Sequence, residues 1–253
     1  MLKLVEVDRH ATVKRLCDLG LASIGLVLGA PLLAAAAAGI RLSSPGPLLY
    51  RAPRIGRAGR PFTMYKLRTM LVGDTGATSA ITGRNDPRVF RFGAWLRRAK
   101  IDELPQLFNV LRGDMSLVGP RPEDPRIVAE HFTPRHFETL VVRPGLASPG
   151  SIYNYTHGER LLTGADPERD YVEQLLPFKL ALEVVYVRRA SLRYDVAIIG
   201  RALATIAAVL LGRRRFPDPP EAPEARQLMA QAGATCAHST PAIAPNEPAP
   251  RRY

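Results

Sequence analysis

Cysteine is nearly absent from this chain, and its two cysteines, Cys17 and Cys236, lie far apart in dissimilar segments. There is no Cys-X-X-Cys pair, and the histidines have no spacing that is typical of metal ligands. We therefore predict neither a disulfide framework nor a zinc site, and we expect the chemically active part to face a reducing cytoplasm. Aromatic residues make up only 7% of the chain, so few side chains are available to stack on nucleic-acid bases.

Acidic residues are missing from a long stretch near the N-terminus. No Asp or Glu occurs from Leu19 to Gly73, and the formal net charge of the whole chain is +12. A charge of this size indicates partners rather than a fold, and nucleic acid, an anionic membrane surface and phosphorylated substrates all fit it. The hydrophobic fraction of 46% is high enough for a folded core, so we do not expect global disorder.

The most apolar part of the chain is Leu16–Ile40, whose only charged residue is Asp18. It is long enough to cross a hydrocarbon layer of roughly 30 Å, and a single spanning helix is its simplest interpretation. Pro31, however, lies inside the run and removes a backbone hydrogen bond. Basic residues, which mark the cytoplasmic side, flank both ends. We therefore predict a basic segment over 1–15, followed by a re-entrant membrane hairpin over 16–41 that breaks at Pro31.

The rest of the chain alternates short periodic segments with turns. The pattern predicts strands near Leu48–Arg51 and Phe62–Lys66, a loop over Thr75–Arg84, helices over Phe92–Lys100 and Leu104–Leu111, and a rigid loop over Val118–Pro122. Gly113 fits the end of the second helix. The predicted fold class is α+β, with the membrane helix-break-helix followed by a mainly helical cytoplasmic domain over 42–212 that has short strands and interfacial amphipathic helices.

Asp195 is a suitable N-cap for an apolar helix that runs to about Leu211 and contains one charged residue, Arg201. Three interpretations are open: a second membrane span, a helix packed in the core, and an interfacial amphipathic helix. We favour the interfacial helix, because the segment is short for a span and the arginines at 213–215 can contact lipid head groups. The Pro- and Ala-rich segment over 213–253 is predicted to be a disordered tail.

Two adjacent carboxylates, Asp102 and Glu103, form the densest candidate site. At a helix start, such a pair is often only a favourable match to the helix dipole. Here the flanking sequence is rich in cations, namely Arg97, Arg98, Lys100, Arg112 and Arg121. Carboxylate oxygens suit Mg²⁺, which binds substrate phosphates through one or two carboxylates, and arginine grips phosphate in a bidentate fashion. The pattern predicts a site for a metal ion and phosphates together.

Two further groups of cations are candidates for phosphate binding. In a strand, Lys66 and Arg68 point to the same face, because side chains alternate. The alternative is a basic patch that contacts solvent or lipid head groups. Arg121 lies between Pro120 and Pro122, and the two proline rings hold it in a stiff loop, which favours a fixed binding role.

The order of these motifs along the chain resembles that of a known family. The matching segments are Lys14-Arg15 with the apolar run, Arg54-Ile55-Gly56, Tyr65-Lys66-Leu67-Arg68-Thr69-Met70, Asp86-Pro87-Arg88, Ile101-Asp102-Glu103-Leu104-Pro105-Gln106-Leu107, Asn109-Val110-Leu111 and the segment over 113–122. The series is similar to that of the bacterial sugar transferases, the small monotopic phosphoglycosyl transferases that act on polyprenyl phosphate. The resemblance covers about Lys14 to Pro122 and extends more weakly to Gly212.

The resemblance implies a ping-pong transfer of a sugar phosphate. Asp102 would attack the β-phosphate of a UDP-sugar donor and release UMP, and undecaprenyl (polyprenyl) phosphate would then take the phosphosugar from Asp102. Mg²⁺ would lie at Asp102, with Glu103 assisting. Four cations would contact phosphates or the nucleotide: Lys66, Arg68, Arg97 and Arg121.

The implied setting is the bacterial inner membrane, with 42–212 as the phosphoglycosyl transferase domain on the cytoplasmic face. The implied partners are the UDP-sugar, the polyprenyl phosphate and membrane lipids but no nucleic acid, with a homodimer left open. The product would enter exopolysaccharide, capsule, O-antigen or glycoprotein glycan assembly at its first membrane step. Two departures from the usual pattern concern details: Ala30 rather than serine precedes Pro31, and Pro144–Ser148 differs in the region that we connect with sugar selection.

Three other functions compete for the same residues. A lipid-phosphate alcohol transferase would need several spaced aspartates on two spanning helices, and no such array is visible. A nucleic-acid-binding protein fits the charge, but the arginines cluster near the apolar segment and the carboxylates. A catalytically inactive membrane scaffold is disfavoured by the intact pair of Asp102 and Glu103.

Overall fold

The computed structural model describes residues 2–72, 81–83, 86–162 and 166–237. The α-helices of these residues are, in chain order, α1 (Leu2–Ser43), α2 (Arg91–Arg98), α3 (Gln106–Arg112), α4 (Pro125–His131), α5 (Pro149–Leu161), α6 (Pro167–Asp170), α7 (Leu176–Arg189), α8 (Leu192–Leu210) and α9 (Ala222–Ala237). The strands are β1 (Leu49–Ile55), β2 (Pro61–Leu67), β3 (Ser116–Val118) and β4 (Gly145–Ala147). β1 and β2 form an antiparallel hairpin, and β3 and β4 form a parallel pair. The predicted mixture of helices and short strands is confirmed.

The elements near the carboxylates match the sequence pattern closely. The two predicted strands appear as β1 and β2, and the two predicted helices appear as α2 and α3. Gly113 follows α3 with a φ of 93°, the left-handed conformation that glycine adopts without steric cost at a helix end. Most of the predicted loop over Thr75–Arg84 lies outside the described residues.

The N-terminal helix α1 is uninterrupted from Leu2 to Ser43 and contains Pro31. The predicted break of the helix at Pro31 is therefore wrong. A proline inside a helix removes one hydrogen bond and can kink the helix without ending it, and the leucines and alanines that follow Pro31 favour helix. By length and composition, Ala11–Ser43 is the one helix of the described residues that could cross a membrane. The re-entrant topology stays a prediction.

Both halves of α1 pack against the same folded body. Arg15 donates hydrogen bonds to two backbone carbonyls in the last turn of α3, at 2.7 and 3.1 Å, and Asp18 accepts one from the hydroxyl of Ser116 at 2.8 Å. Near the other end of α1, Ala36 and Ile40 are buried in a cluster with side chains of β2 and α2. The two ends of the apolar helix therefore lie on one side of the molecule.

The opposite face of α1 is apolar and exposed. Leu21, Val27 and Leu28 are 51%, 73% and 76% exposed, and Val196 and Leu203 of α8 are 69% and 63% exposed. Apolar surface of this extent, which ordinary soluble domains rarely show, marks a region that contacts another molecule or a membrane.

A central core joins α1 to the hairpin and to α3. Ala22 of α1, Ala52 of β1, Met64 of β2 and Leu107 of α3 are buried in one cluster. Gly25 lets the helices approach closely, since a Cβ there would lie 3.2 Å from Cδ1 of Leu107. This core places the end of β2 beside the turn that precedes α3.

The start of α8 differs from the prediction. Ser191, not Asp195, is its N-cap, and the Ser191 side chain accepts a hydrogen bond from the backbone N–H of Tyr194. Asp195 instead forms an ion pair with Lys14 at 2.6 Å. Serine and aspartate are equally good caps, so local sequence could not separate them, and the contact with α1 assigns Asp195 another role.

The predicted disordered tail over 213–253 is wrong for its first part, because it contains α9. Ala225 and Leu228 of this helix are buried against Val184 and Val185 of α7. Buried positions filled largely by alanine give almost no hydrophobic period, which is why composition alone pointed to disorder. Residues 238–253 lie outside the described residues.

Substitution of Leu228 tests the packing of α9. Leu228→Ala should lower the free energy of unfolding by about 2 kcal/mol or more, because it leaves a cavity against α7. Met229→Ala, at a position that is 39% exposed, is the matched control and should stay within about 0.5 kcal/mol of the unsubstituted protein. Thermal unfolding in detergent measures both, and equally small effects would contradict the packing.

Candidate active site

A tight turn carries the two carboxylates. Lys100 has a left-handed backbone (φ 58°, ψ 17°), and Ile101–Glu103 then form one 3₁₀ turn that leads through Pro105 into α3. Proline suits this place, because the backbone N–H groups at a helix start have no intrahelical partner. Ile101 is buried in the cluster that includes the C-terminal half of α1, so the turn is anchored. Both carboxylates are buried beside it.

Glu103 is held by three cations. Arg121 forms a fork in which Nη2 donates to Oε1 at 2.5 Å and Nη1 donates to Oε2 at 3.2 Å. The Nζ atoms of Lys66 and Lys100 each lie 3.4 Å from Oε1. Burial alone would raise the pKa of Glu103, but Arg121, Lys100 and Lys66 hold this pKa well below its ordinary value. Glu103 is therefore ionised at neutral pH and is surrounded by an excess of positive charge.

Asp102 lies next to Glu103 but has a different environment. Its Oδ1 is enclosed and accepts no hydrogen bond from the described residues. Burial raises the pKa of Asp102 and the charge of Glu103 raises it further, whereas Lys66, Lys100 and Arg97 oppose the rise. Glu103 is thus engaged in ion pairs, whereas Asp102 has an oxygen atom that could contact a ligand.

Gln106, one helical turn after Asp102, is a residue that the sequence analysis did not single out. It is fully buried, and neither Nε2 nor Oε1 of its amide has a hydrogen-bond partner in the part of the chain that the structure describes. Buried polar groups in folded proteins nearly always have partners. Unpartnered atoms on both Asp102 and Gln106 are therefore typical of a site that binds a polar ligand.

The residues fit the implied Mg²⁺ in part. Oδ1 of Asp102 is an unpartnered hard oxygen of the kind that Mg²⁺ prefers. Both oxygens of Glu103 accept hydrogen bonds from Arg121, so Glu103 fits a metal ligand less well in this arrangement. The described residues contain no group of three or more His, Cys, Asp or Glu placed to hold a metal. Substrate phosphates and water would have to complete the coordination of an ion at Asp102.

Lys66 and Arg97 lie near the carboxylates, as Arg121 does. Burial lowers the pKa of Lys66 to about 8, although the neighbouring carboxylates oppose this change. Nε of Arg97 donates to the hydroxyl of Thr69 at 2.8 Å, and its charge is close enough to Asp102 for each to shift the pKa of the other. Three of the four cations predicted to bind phosphates are thus brought together.

Arg68, the fourth predicted cation, does not reach the carboxylates. β2 ends at Leu67, and the buried guanidinium of Arg68 lies under the end of α1. There it donates to the carbonyls of Pro47 and Ser44, at 2.6 and 2.8 Å, and to the Ser44 hydroxyl at 2.8 Å. The alternation argument fails because the strand ends one residue earlier and because free carbonyls at a helix end attract guanidinium groups. In this structure Arg68 holds the chain that leaves α1, and its role in phosphate binding stays a prediction.

Segment Pro144–Ser148, which we connected with sugar selection, lies beneath the loop that carries Arg121. A Cβ at Gly145 would lie 2.0 Å from the backbone nitrogen of Gly119, so the two backbones touch. Ser148 is fully buried and caps α5. The segment therefore packs directly against the backbone of the loop that carries Arg121.

Glu183 of α7 is a second residue that the sequence analysis missed. It is 1% exposed, its Oε1 accepts a hydrogen bond from the backbone N–H of Arg121 at 3.2 Å, and its Oε2 has no partner among the described residues. Burial raises the pKa of Glu183 to about 7. Its only signal in the sequence was a helical spacing of polar residues, at 179, 183 and 186, within an apolar segment.

The raised pKa of Glu183 predicts a pH dependence of stability. Between the ordinary pKa of 4.5 and the folded-state pKa of about 7, the folded protein binds more protons than the unfolded chain, so the free energy of unfolding falls as pH rises. Glu183→Gln removes this contribution, which is roughly 3 kcal/mol at 1.36 kcal/mol per pKa unit. Relative to the unsubstituted protein, the variant should gain stability from about pH 4.5 to about pH 7. Thermal unfolding across that range measures it, with the exposed Glu173→Gln as control, and a pH-independent difference would contradict the assignment.

Comparison with known proteins identifies the family. The sequence profile of the family described as bacterial sugar transferase matches residues 9–211. This match includes the apolar helix, the carboxylate turn, the loop that carries Arg121, and α8. All parts of the site described above therefore lie within it.

Curated relatives resemble most of the chain. The UDP-glucose:undecaprenyl-phosphate glucose-1-phosphate transferase of Xanthomonas campestris pv. campestris is 40% identical over 205 residues, which cover 77% of this chain and 39% of the relative. The transferase of the same name from Caulobacter vibrioides is 39% identical over 196 residues, which cover 76% of this chain and 69% of the relative. The UDP-N-acetylgalactosamine-undecaprenyl-phosphate N-acetylgalactosaminephosphotransferase of Aeromonas hydrophila is 36% identical over 200 residues, which cover 78% of this chain and 44% of the relative.

The chain thus spans less than half of the Xanthomonas and Aeromonas relatives and more than two thirds of the Caulobacter relative. The profile match extends over most of the chain, and its residues include the paired carboxylates and the three cations around them. This chain belongs to the bacterial sugar transferase family.

Proposed function

We propose that this protein transfers a sugar 1-phosphate from a UDP-sugar to undecaprenyl phosphate and releases UMP. The observation that carries the proposal is the enclosed carboxylate oxygen of Asp102, which has no hydrogen-bond partner among the described residues. The neighbouring Glu103 forms ion pairs with three cations. The names of the relatives state transfer to undecaprenyl phosphate but different sugars, glucose and N-acetylgalactosamine. The donor sugar of this chain is therefore left open.

The proposed reaction has two displacements at one phosphorus atom. A carboxylate oxygen of Asp102 attacks the β-phosphorus of the UDP-sugar, the bond from that phosphorus to the bridging oxygen breaks, and UMP leaves with the oxygen. A phosphosugar–aspartyl acyl phosphate, a mixed anhydride, remains. A phosphate oxygen of undecaprenyl phosphate then attacks the same phosphorus, the bond to Asp102 breaks, and the lipid diphosphate sugar leaves. Carboxylates are recognised nucleophiles in phosphoryl chemistry.

Positive charge allows an anionic nucleophile to approach an anionic diphosphate. Lys66 of β2, Lys100 of the turn and Arg121 of the loop converge on one carboxylate, and Arg97 adds a fourth charge near Asp102. Because Glu103 already holds three of them in place, these cations need little reorganisation when a phosphate binds. Mg²⁺ bound at Asp102 would supply further positive charge to the diphosphate.

The acceptor is insoluble in water, so the site must lie at a membrane surface. Ala11–Ser43 comprises 33 residues and is roughly 50 Å long at 1.5 Å per residue, which exceeds a hydrocarbon layer of roughly 30 Å. A helix that crossed this layer could not touch one cytoplasmic body near both of its ends, as α1 does through Arg15 and Ile40. We infer that both flanks of α1 are cytoplasmic and that its exposed apolar face enters one leaflet, with α8 and the arginines at 213–215 at the head groups.

Asp102→Asn should reduce UMP release by more than about 1,000-fold, because the amide cannot form the acyl phosphate. The full chain, purified in nanodiscs with undecaprenyl phosphate and Mg²⁺, is incubated with a panel of UDP-sugars. Release of UMP rather than UDP and formation of a lipid-linked sugar measure the reaction. Mass spectrometry of donor-treated protein should show the phosphosugar on Asp102.

The matched control is Asp218→Asn, at an exposed ion pair with Arg226, which should retain activity. Vesicle flotation should show that both variants bind membranes equally. Release of UDP, or an active Asp102→Asn variant without any adduct in the unsubstituted protein, would reject the proposed reaction.

Cysteine labelling tests the topology of α1. In a background with Cys17→Ser and Cys236→Ser, single cysteines introduced by Ala11→Cys and Pro45→Cys report the two flanks. Both positions are exposed to solvent on the protein surface, so both should react with a membrane-impermeant maleimide only after the inner membrane is opened. Labelling of position 45 from the periplasm would show that α1 spans the bilayer.

A further inference from the structure

Helix α7 presents three buried polar side chains on one face. Lys179, Glu183 and Tyr186 are spaced by four and three residues, so they line up along the helix. They are 2%, 1% and 2% exposed. The residues between them, including Leu182 and Val184, belong to the hydrophobic core. Buried polar side chains require hydrogen-bond or ion-pair partners. All three residues have such partners in the same short segment.

This segment is 118–123, which contains Arg121. The Tyr186 hydroxyl lies 3.1 Å from the carbonyl oxygen of Val118 and 2.8 Å from Oδ1 of Asp195, so its one proton is shared between two acceptors. Glu183 Oε1 accepts from the backbone N–H of Arg121 at 3.2 Å, and Lys179 forms an ion pair with Glu123. The loop is therefore attached to α7 at its start, its middle and its end. Its middle attachment lies at the residue whose guanidinium holds Glu103.

Glu183 makes the central attachment with one oxygen. Oε1 also accepts a hydrogen bond from the hydroxyl of Ser148 at 2.7 Å, and a Cβ at Gly150 would lie 2.5 Å from the same oxygen. Lys179, one turn earlier, is engaged by Glu123 and by the hydroxyl of Tyr171. Burying a carboxyl group whose hydrogen-bond donors are neutral costs free energy, so packing alone does not account for a glutamate here.

We propose that Glu183 is a positioning residue for Arg121, holding the backbone of the loop so that the guanidinium meets the carboxylates of the active site. The inference rests on the proposed function, in which Arg121 acts beside Asp102. Oε1 of Glu183 accepts hydrogen bonds from both the backbone N–H of Arg121 and the hydroxyl of Ser148. These two bonds restrict how far the loop can move relative to the turn that carries Glu103. Displacement of a charged group by about 1 Å can cost about 100-fold in rate.

Three variants at position 183 separate positioning from packing. Glu183→Gln keeps an acceptor oxygen with the same reach and should retain turnover within about threefold. Glu183→Met keeps the volume but removes both hydrogen bonds, and it should lower kcat/KM by about 10- to 100-fold. Glu183→Asp keeps the charge but withdraws the oxygen by one methylene, and it replaces the methionine variant if that variant does not fold.

A double-mutant cycle with Arg121→Lys shows whether Glu183 acts through Arg121. If it does, Glu183→Met in the Arg121→Lys background should add little further loss of kcat/KM. Hydrogen–deuterium exchange gives a readout without turnover: exchange in Glu183→Met should rise over residues 118–123 and stay unchanged in the β1–β2 hairpin. A general loss of stability would raise exchange in both places.

Additive losses in the cycle, together with unchanged exchange over 118–123, would overturn the proposal. Failure of the proposed function looks different, because the unsubstituted protein would then release no UMP from any UDP-sugar. In that case the exchange measurement decides alone: a rise confined to 118–123 supports the positioning role, and no rise rejects it. Glu138→Gln is the matched control, since Glu138 forms an exposed ion pair with Arg188 of the same helix.

Discussion

The two-point ion pair between Arg121 and Glu103 is the interaction on which the site depends. It joins a loop to a turn that is 18 residues away in sequence, and the side chains are only 13% and 10% exposed. Removing one partner from such a pair leaves a buried charge and typically costs about 3 to 5 kcal/mol. Lys66 of β2 and Lys100 of the turn meet at the same carboxylate. The loop, the turn and β2 are thus held together by one anionic group.

A second constraint is the attachment of α1 at both ends. Arg15 donates to two carbonyls at the C-terminal end of α3, and Arg68 donates to two carbonyls of the chain that leaves α1. Two arginines of this very basic protein are therefore used to close helix ends, where carbonyls and the helix dipole favour a cation. Net charge alone suggested phosphates and lipids as partners, but part of the positive charge is used inside the fold.

The sequence was most informative where local rules suffice. Gly113 ends α3 as predicted, and the cations flanking Asp102 and Glu103 in the sequence pointed to a charged cluster. Local rules failed where a distant contact decides the role of a residue. Arg68 follows the end of a strand and bonds to the end of α1, and Asp195 pairs with Lys14. Neither contact has a signal within a few residues of either partner.

The same limit applies to the residues that support Arg121. Glu183 lies in an apolar helix, and its partners, Arg121 and Ser148, are 62 and 35 residues away in sequence. Helix α9 was missed for a related reason, since much of its buried surface is alanine. Sequence patterns reveal the hydrophobic face of each helix separately. They therefore indicate candidate site residues more readily than the distant residues that position them.

The two neighbouring carboxylates differ in their surroundings, and this difference supports the separate roles that we propose for them. They are adjacent in sequence and both buried, yet burial and a like charge raise the pKa of Asp102 while three cations lower that of Glu103. Opposite shifts in a pair of titratable groups indicate separate functions. Glu103, saturated by ion pairs, can organise cations but has little freedom to attack phosphorus. Asp102, with an unpartnered oxygen and the same cations nearby, is the carboxylate that we propose as the nucleophile, and its neighbour holds those cations in place.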